Sequence, residues 1–214
     1  LARKYLTDVE VKGVTVQQFA SQVNDVLRFT MRLPSGTEYA PALDRVLAEL
    51  EPVGYRVEQK KNFWASGNRY LGVNATLRTP SGQPFELQFH TDLSLRAGAL
   101  THDAYEVVRR DDESPVRRVH AFLSMMAVNK RLGITDAIPP GLGEAIGNGF
   151  TKWICGEADM WKYYREWLEL NERSFLDIAA EFGLGPGDFV VSPSVAEKLE
   201  QIDADLLHHL QVGD

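Results

Sequence analysis

The amino-acid sequence predicts an α+β fold: a mixed β-sheet flanked by helices, with a helical C-terminal region. Three observations lead there. Residues 72–91, GVNATLRTPSGQPFELQFHT, alternate as a β-hairpin: Val73, Ala75 and Leu77 against Asn74, Thr76 and Arg78 in one arm, Phe85, Leu87 and Phe89 against Glu86, Gln88 and His90 in the other. Strand side chains alternate faces with period two, so each arm buries one set and presents the other. Upstream, the order strand, helix, strand leads into this hairpin, and after Thr91 the apolar spacing becomes helical.

Each element has a local reason. Residues 16–23 (VQQFASQV) read as a short helix with Thr15 as N-cap. Residues 25–33 (DVLRFTMRL) alternate as a strand, which Pro34-Ser35-Gly36 ends in a turn. Residues 39–50 place Leu43, Val46, Leu47 and Leu50 at helical spacing and stop near Pro52 and Gly54. Residues 55–61 form a second strand, and Gly67-Asn68 marks a loop before the hairpin. The hairpin turn falls at Ser81-Gly82-Gln83, a register that sets Arg78 opposite Glu86, Thr76 opposite Gln88 and Asn74 opposite His90. Residues 94–110, with Leu95, Leu100, His102 and Tyr105, read as helix. Residues 115–132 make a stronger one, with Ser114 as N-cap and Pro115 at N1. Pro139-Pro140-Gly141 is the strongest break. Beyond it, 158–175 and 194–210 are helical, 183–187 is a loop, and Phe189-Val190-Val191 is a short strand or part of that loop. There are no internal repeats and no low-complexity tract.

Composition narrows the function classes. The 214 residues are 44% hydrophobic, enough for one large domain or one domain with an appendage. A net charge of −7 and a pI near 5.3 favour solubility and argue against a broad nucleic-acid footprint, while leaving room for a local basic pocket. Cys155 is the single cysteine, which excludes an internal disulfide and fits a reducing compartment. No Cys/His cluster has zinc spacing. No apolar run reaches the roughly 20 residues needed to span a bilayer, and no signal peptide is visible. The chain starts at Leu1 rather than Met, which reads as an excised or processed piece.

On one face of the hairpin a carboxylate, an amide and an imidazole stand in a row at Glu86, Gln88 and His90. Such a row can floor a polar cleft; it can equally be the wet face of an antiparallel sheet. The neighbouring segments favour a cleft. SQVNDVLRFTM at 21–31, KKNFW at 60–64, NRYLGVN at 68–74, FELQFHT at 85–91 and THDAYE at 101–106 supply, in order, a strand-borne aspartate, a lysine, a tyrosine-glycine turn, an E-x-Q strand and an H-x-x-Y helix. In that order the chain resembles the synthetase domain of the RelA/SpoT family, the ATP-dependent pyrophosphokinases that make alarmones. It looks closest to the divergent versions found in toxins and effectors. The likeness covers residues 1–140 and implies a nucleotidyltransferase-like fold. It also implies transfer of a pyrophosphoryl group from ATP to the ribose 3′-hydroxyl of a purine nucleotide.

The resemblance assigns roles residue by residue. Asp25 would hold Mg²⁺, and Glu86 would either complete that metal site or accept the 3′-hydroxyl proton. Read from the residues alone, Asp25 caps a turn and Glu86 pairs with Arg78 across the hairpin. Tyr70 matches the acceptor-stacking tyrosine, where a ring can lie flat against a purine. Lys60 or Lys61 matches the phosphate-binding lysine. Asn74 stands where the family often has a histidine, and Gln88 matches a glutamine of the same face. His90 is the clearest departure, since the family usually carries arginine there. Histidine is a shorter, pH-dependent donor, so acceptor preference is expected to be written at this position. His102 and Tyr105 lie three apart on one helix face and either border the site or pack their helix on the sheet. Arg3 and Lys4 resemble the end of the basic cluster that grips ATP. Arg28 and Arg32 could contribute there too, but both fall on the opposite strand face from Asp25 under strict alternation.

The His102-Asp103 pair is also found in metal-dependent phosphohydrolases, but the further histidines such sites need are not spaced around it, so no alarmone hydrolysis is expected. Two alternatives stay open. The acceptor could be the 3′ end of tRNA, against which the acidic charge counts, or the chain could be a catalytically inactive nucleotide-binding module. The toxin resemblance implies action in the cytoplasm of a target cell after secretion, an immunity protein as partner, and no membrane. Residues 141–214 form a mostly helical extension. There Met160, Tyr164 and Trp167 line one face, with Trp153, Trp161 and Tyr163 close in sequence. This aromatic run is either core packing against residues 1–140 or a docking surface.

Overall fold

The computed structural model describes residues 9–10, 12–16, 18, 27–146 and 158–189. Within them the chain is α+β, with four strands in one mixed sheet and six helices. Near the start, Gln18 N donates to Thr15 Oγ1 at 3.1 Å and Thr15 N donates to Gln18 Oε1 at 3.0 Å, a reciprocal capping box. The expected Thr15 cap is therefore present; most of the helix expected over 16–23 lies outside the described residues.

The sheet runs β1-β4-β3-β2. β1 (Arg28–Arg32) is shorter than the strand expected over 25–33. α1 (Tyr39–Leu50) buries Tyr39, Ala40 and Leu43. β2 (Arg56–Asn62) has an irregularity between Val57 and Gln59 where it pairs antiparallel with β3 (Val73–Arg78). β3 pairs antiparallel with β4 (Pro84–His90), and β1 lies parallel to β4.

The hairpin register differs from the expected one by two residues. Arg78 opposes Pro84, Thr76 opposes Glu86 and Asn74 opposes Gln88. The turn explains it. Gly82 N donates to Thr79 O and Thr79 N to Gln83 O, both at 2.9 Å, with Gly82 at φ +89°. Pro80 takes the second position of a tight turn and Gly82 the left-handed position after it, a common three-to-five-residue hairpin connection. Two residues is one full period, so every cross-strand partner changes while each side chain keeps its expected face. Val73, Ala75, Leu77, Phe85, Leu87 and Phe89 are all buried. Arg78 does not reach Glu86; it forks onto Glu58, with Nε to Oε1 at 2.6 Å and Nη2 to Oε2 at 3.1 Å.

The helix expected over 94–110 is two helices, α2 (Asp92–Leu100) and α3 (His102–Val108). Thr91 and Ser94 cap α2 reciprocally, and Thr101 leaves helical geometry at φ −105°, ψ 4°. Its Oγ1 donates to Ala97 O at 2.8 Å, satisfying a terminal carbonyl of α2. α4 (Pro115–Arg131) follows expectation, with the Ser114 side chain accepting from Arg117 N and Pro115 in the first turn. α5 (Ala158–Leu170) stops before 175, and Ser174 caps a separate α6 (Phe175–Glu181). Phe189 ends a 3₁₀ turn, Pro186–Phe189, at the loop, while Val190 and Val191 lie outside the described residues. The helix expected over 194–210 lies outside the described residues.

Two apolar clusters result. The sheet cluster joins the inward strand residues to Tyr39, Leu43, Trp64, Leu71, Ala97 and Ile134. The helical cluster packs Val119, Phe122 and Met126 of α4 against Met160, Tyr164 and Leu168 of α5 and Ile178 of α6. The aromatic face expected on α5 thus goes into a core, with Tyr164 and Trp167 stacked at 5.6 Å. Trp153 lies outside the described residues. Among the described residues no helix is long and apolar enough to cross a membrane.

Candidate active site

The strand register gathers the polar side chains onto one face. Parallel pairing sets Arg28 beside Glu86, Thr30 beside Gln88 and Arg32 beside His90. Antiparallel pairing sets Thr76 opposite Glu86, Asn74 opposite Gln88 and Lys61 opposite Asn74. Directly paired residues share a face. One face therefore carries Arg28, Glu86, Gln88, Asn74 and Lys61. Lys60 belongs to the other face, opposite Ala75, with its Nζ 3.7 Å from Asp44 of α1. Of the two candidate lysines, only Lys61 joins the site by register.

Glu86 sits at the centre of this face with its side chain 15% exposed. Its Oε1 lies 2.8 Å from Arg28 Nε and accepts a 2.8 Å hydrogen bond from Gln88 Nε2. Alternation counted from Asp25 told against Arg28 as a contributor, but β1 begins at Arg28, and its pairing with β4 sets that residue beside Glu86. Asp25, Arg3 and Lys4 lie outside the described residues.

Beside Glu86 runs a chain of polar contacts. Tyr70 donates its hydroxyl to Asn74 Oδ1 at 2.5 Å and meets His90 Nε2 at 2.9 Å. His90 Nδ1 is 2.9 Å from Ser94 Oγ, which accepts from Thr91 N at 2.9 Å. The Tyr70 ring stands edge-on to His90 and Phe63, with centroids at 5.1 and 5.6 Å. Burial, reinforced by the Glu86 charge, pushes the Tyr70 hydroxyl well above the usual phenol range, so it stays protonated. The loop carrying Tyr70 is tied down on both sides. Asn68 Nδ2 donates to Phe63 O and Ile146 O at 2.9 Å, and Asn129 of α4 donates to Arg69 O at 3.3 Å. These asparagines, with Ser94 and Gly72, position the site and carry no signal in the sequence beyond a turn or cap preference.

Gly72 is required by close approach. A Cβ there would stand 2.9 Å from His90 Cε1 and 3.1 Å from both Phe89 O and the Tyr70 hydroxyl. The Phe89 carbonyl belongs to β4 and cannot move alone. Gly72→Ala is expected to cost roughly 1–3 kcal/mol through overpacking, read by urea denaturation, and to open the Tyr70–His90 contact.

His90 is 6% exposed, with both ring nitrogens engaged inside the protein. Burial pushes its pKa down from 6.5 to about 4, partly offset by a hydrogen bond that the ring donates to the Leu71 backbone. The unfolded chain takes up a proton as pH falls through its ordinary value, while the folded chain keeps the ring neutral until about 4. Stability contributed by the neutral ring is thus present above that ordinary value, is lost as pH falls across this window, and changes no further below it, by roughly 3 kcal/mol in all. Burial lowers the pKa of His120 as well, so the measurement is the difference between wild type and His90→Asn in urea midpoints between pH 7 and pH 4.5. The variant is expected to lose less stability over this range.

His102 and Tyr105 do not pack α3 on the sheet. His102 is exposed at the start of α3. Tyr105 is 37% exposed, with the guanidinium carbons of Arg69 and Arg109 at 5.2 and 5.9 Å from its ring centre. Arg69 adjoins Tyr70 in sequence. Compared with known proteins, the chain matches no family model and no curated protein.

Proposed function

We propose that the protein is an ATP-dependent nucleotide pyrophosphokinase built on a nucleotidyltransferase-like fold. It moves the terminal pyrophosphoryl group of ATP to the 3′-hydroxyl of a purine nucleotide. One observation carries the reading: Glu86, Gln88, Asn74 and Tyr70, drawn from two strands and a loop, converge on a half-buried polar face with the Arg28 cation against Glu86. The resemblance of five ordered segments to RelA/SpoT synthetases supports it.

In the proposed reaction the acceptor 3′-oxygen bonds to the β-phosphorus of ATP. The bond from that phosphorus to the α–β bridging oxygen breaks, AMP leaves, and the hydroxyl proton passes to Glu86. Charge on the transferring group spreads over phosphate oxygens, so cations must face it. Register places Arg28 beside Glu86 and Lys61 opposite Asn74 on this face, while Arg32 and Arg78, on the same face, pair with Asp92 and Glu58. Glu86 and Asp25 would hold Mg²⁺. Glu86 suits that ion, being a carboxylate whose two protein contacts both fall on Oε1. Among the described residues no group of three or more His, Cys, Asp or Glu side chains forms a metal site by itself. Mg²⁺ is commonly held by one or two carboxylates together with substrate phosphates. Bound Mg²⁺ would neutralise and orient the phosphates. A toxin role, acting on the nucleotide pool of a target cell and restrained by an immunity protein, follows from the resemblance to effector versions.

The test is incubation of the protein and Mg²⁺ with γ-labelled ATP and each of GDP, GTP, AMP, ADP, ATP and tRNA. Label on a free purine nucleotide, with AMP released, is the expected result. Label on tRNA alone would change the acceptor. Nucleotide binding with no transfer to any acceptor would leave an inactive binding module.

A further inference from the structure

We propose that His90 and Ser94 are positioning residues that act on the ligand through Tyr70, holding the Asn74 amide so that its Nδ2 donates to an acceptor atom of the bound nucleotide. The ligand class rests on the nucleotide reading above; the hydrogen-bond geometry does not.

The argument is one of donors and acceptors. The Asn74 Oδ1 end of the chain can only accept, so the bond to it uses the single Tyr70 hydroxyl proton. The Tyr70 oxygen must then accept from His90, which places the ring proton on Nε2. Nδ1 is left as an acceptor and takes the Ser94 hydroxyl proton, while Ser94 Oγ accepts from the Thr91 backbone N–H, which can only donate. The Asn74 end fixes the sense, and with a neutral ring at His90 that sense carries through to Ser94. A competing bond from Ser94 Oγ to Thr91 O is longer, 3.1 Å against 2.9 Å. With Oδ1 committed, Asn74 has Nδ2 left, and that atom meets no protein acceptor among the described residues. Asn74 lies opposite Gln88, next to Glu86, so the donor belongs to the same face as the candidate base. Ligand oxygens and ring nitrogens of a nucleotide accept such a bond. The histidine at 90 therefore shapes ligand preference indirectly, by orienting two neighbours, and does not itself contact phosphate.

Two readouts on the full chain test this. Long-range ¹H–¹⁵N spectra of labelled protein at neutral pH report the His90 tautomer, and titration with ADP and with GDP reports Kd. The expected wild-type result is the Nε2–H tautomer. Ser94→Ala is expected to mix the tautomers and weaken binding of the preferred nucleotide about tenfold, the size typical of a lost supporting hydrogen bond, while Ser94→Thr restores both. Asn74→Asp, which keeps the acceptor and lacks the donor, should weaken binding and leave the tautomer alone. An Nδ1–H tautomer in the wild type overturns the proposal, as does wild-type affinity in both Ser94→Ala and Asn74→Asp. A wild type that binds neither nucleotide overturns the nucleotide reading and this inference together, whereas binding that is indifferent to the variants overturns this inference alone.

Discussion

Glu86→Gln is expected to lower pyrophosphoryl transfer by about 10²–10⁴-fold while leaving the fold intact, the size of a lost general base. The substitution is nearly isosteric, and the amide oxygen can still accept the hydrogen bond that Oε1 takes from Gln88. What disappears is the charge. The 3′-hydroxyl proton loses its acceptor, and the carboxylate expected to share Mg²⁺ becomes a poor ligand for a hard cation. Arg28 loses its partner, but its side chain is 49% exposed and stays solvated, so no buried cation is stranded and the stability cost is small. Initial rates at saturating ATP and acceptor measure the effect, with thermal melting and nucleotide Kd as controls. A variant within about tenfold of wild type, folded and binding, would remove Glu86 from the chemistry, since removal of a positioned base rarely costs so little.

The sequence made some of this geometry legible and hid the rest for identifiable reasons. Period-two alternation revealed both faces of the hairpin, and those faces hold because the turn error was one full period. It could not reveal the register, because Pro80 and Gly82 admit more than one turn placement. The place of Arg28 beside Glu86 was hidden because it depends on a parallel pairing with β4, a long-range contact that local alternation does not encode. Thr101 was hidden because helical spacing continues on both sides of it, so nothing local signals the break between α2 and α3. Tyr70, Asn74 and His90 were recognisable as polar candidates. Only the close approach at Gly72 shows that their polar atoms bond to one another. His90 illustrates the difference. By residue type it is a pH-dependent donor; by burial it is a neutral link between a serine and a tyrosine.

Phe89→Ala is expected to give the largest loss of stability of any single truncation on β4, roughly 3–5 kcal/mol, from lost burial plus the cavity left behind. Phe89 is 0% exposed in the sheet cluster, between Gln88 and His90 in sequence and opposite Val73 across the hairpin. Its carbonyl accepts the Tyr39 hydroxyl at 2.7 Å, tying α1 to the strand that carries Glu86. The ring has no room to be replaced by solvent, and the surrounding strands are fixed by ladder hydrogen bonds, so collapse into the gap is limited. Phe29 is the internal comparison. It points to the same sheet face from β1, edge-on to Phe85 at 5.9 Å, but is 56% exposed because β1 is a sheet edge. Phe29→Ala should therefore cost less than about 1.5 kcal/mol, mostly the ring–ring contact. Urea denaturation of the two variants at neutral pH measures the contrast. Equal losses would mean that burial on this sheet face is not what holds β4 in place. Against a typical total of about 5–15 kcal/mol, the loss at Phe89 removes a large share of the stability. It also loosens the strand on which Glu86, Gln88 and His90 stand, so transfer should fall by more than the unfolded fraction accounts for.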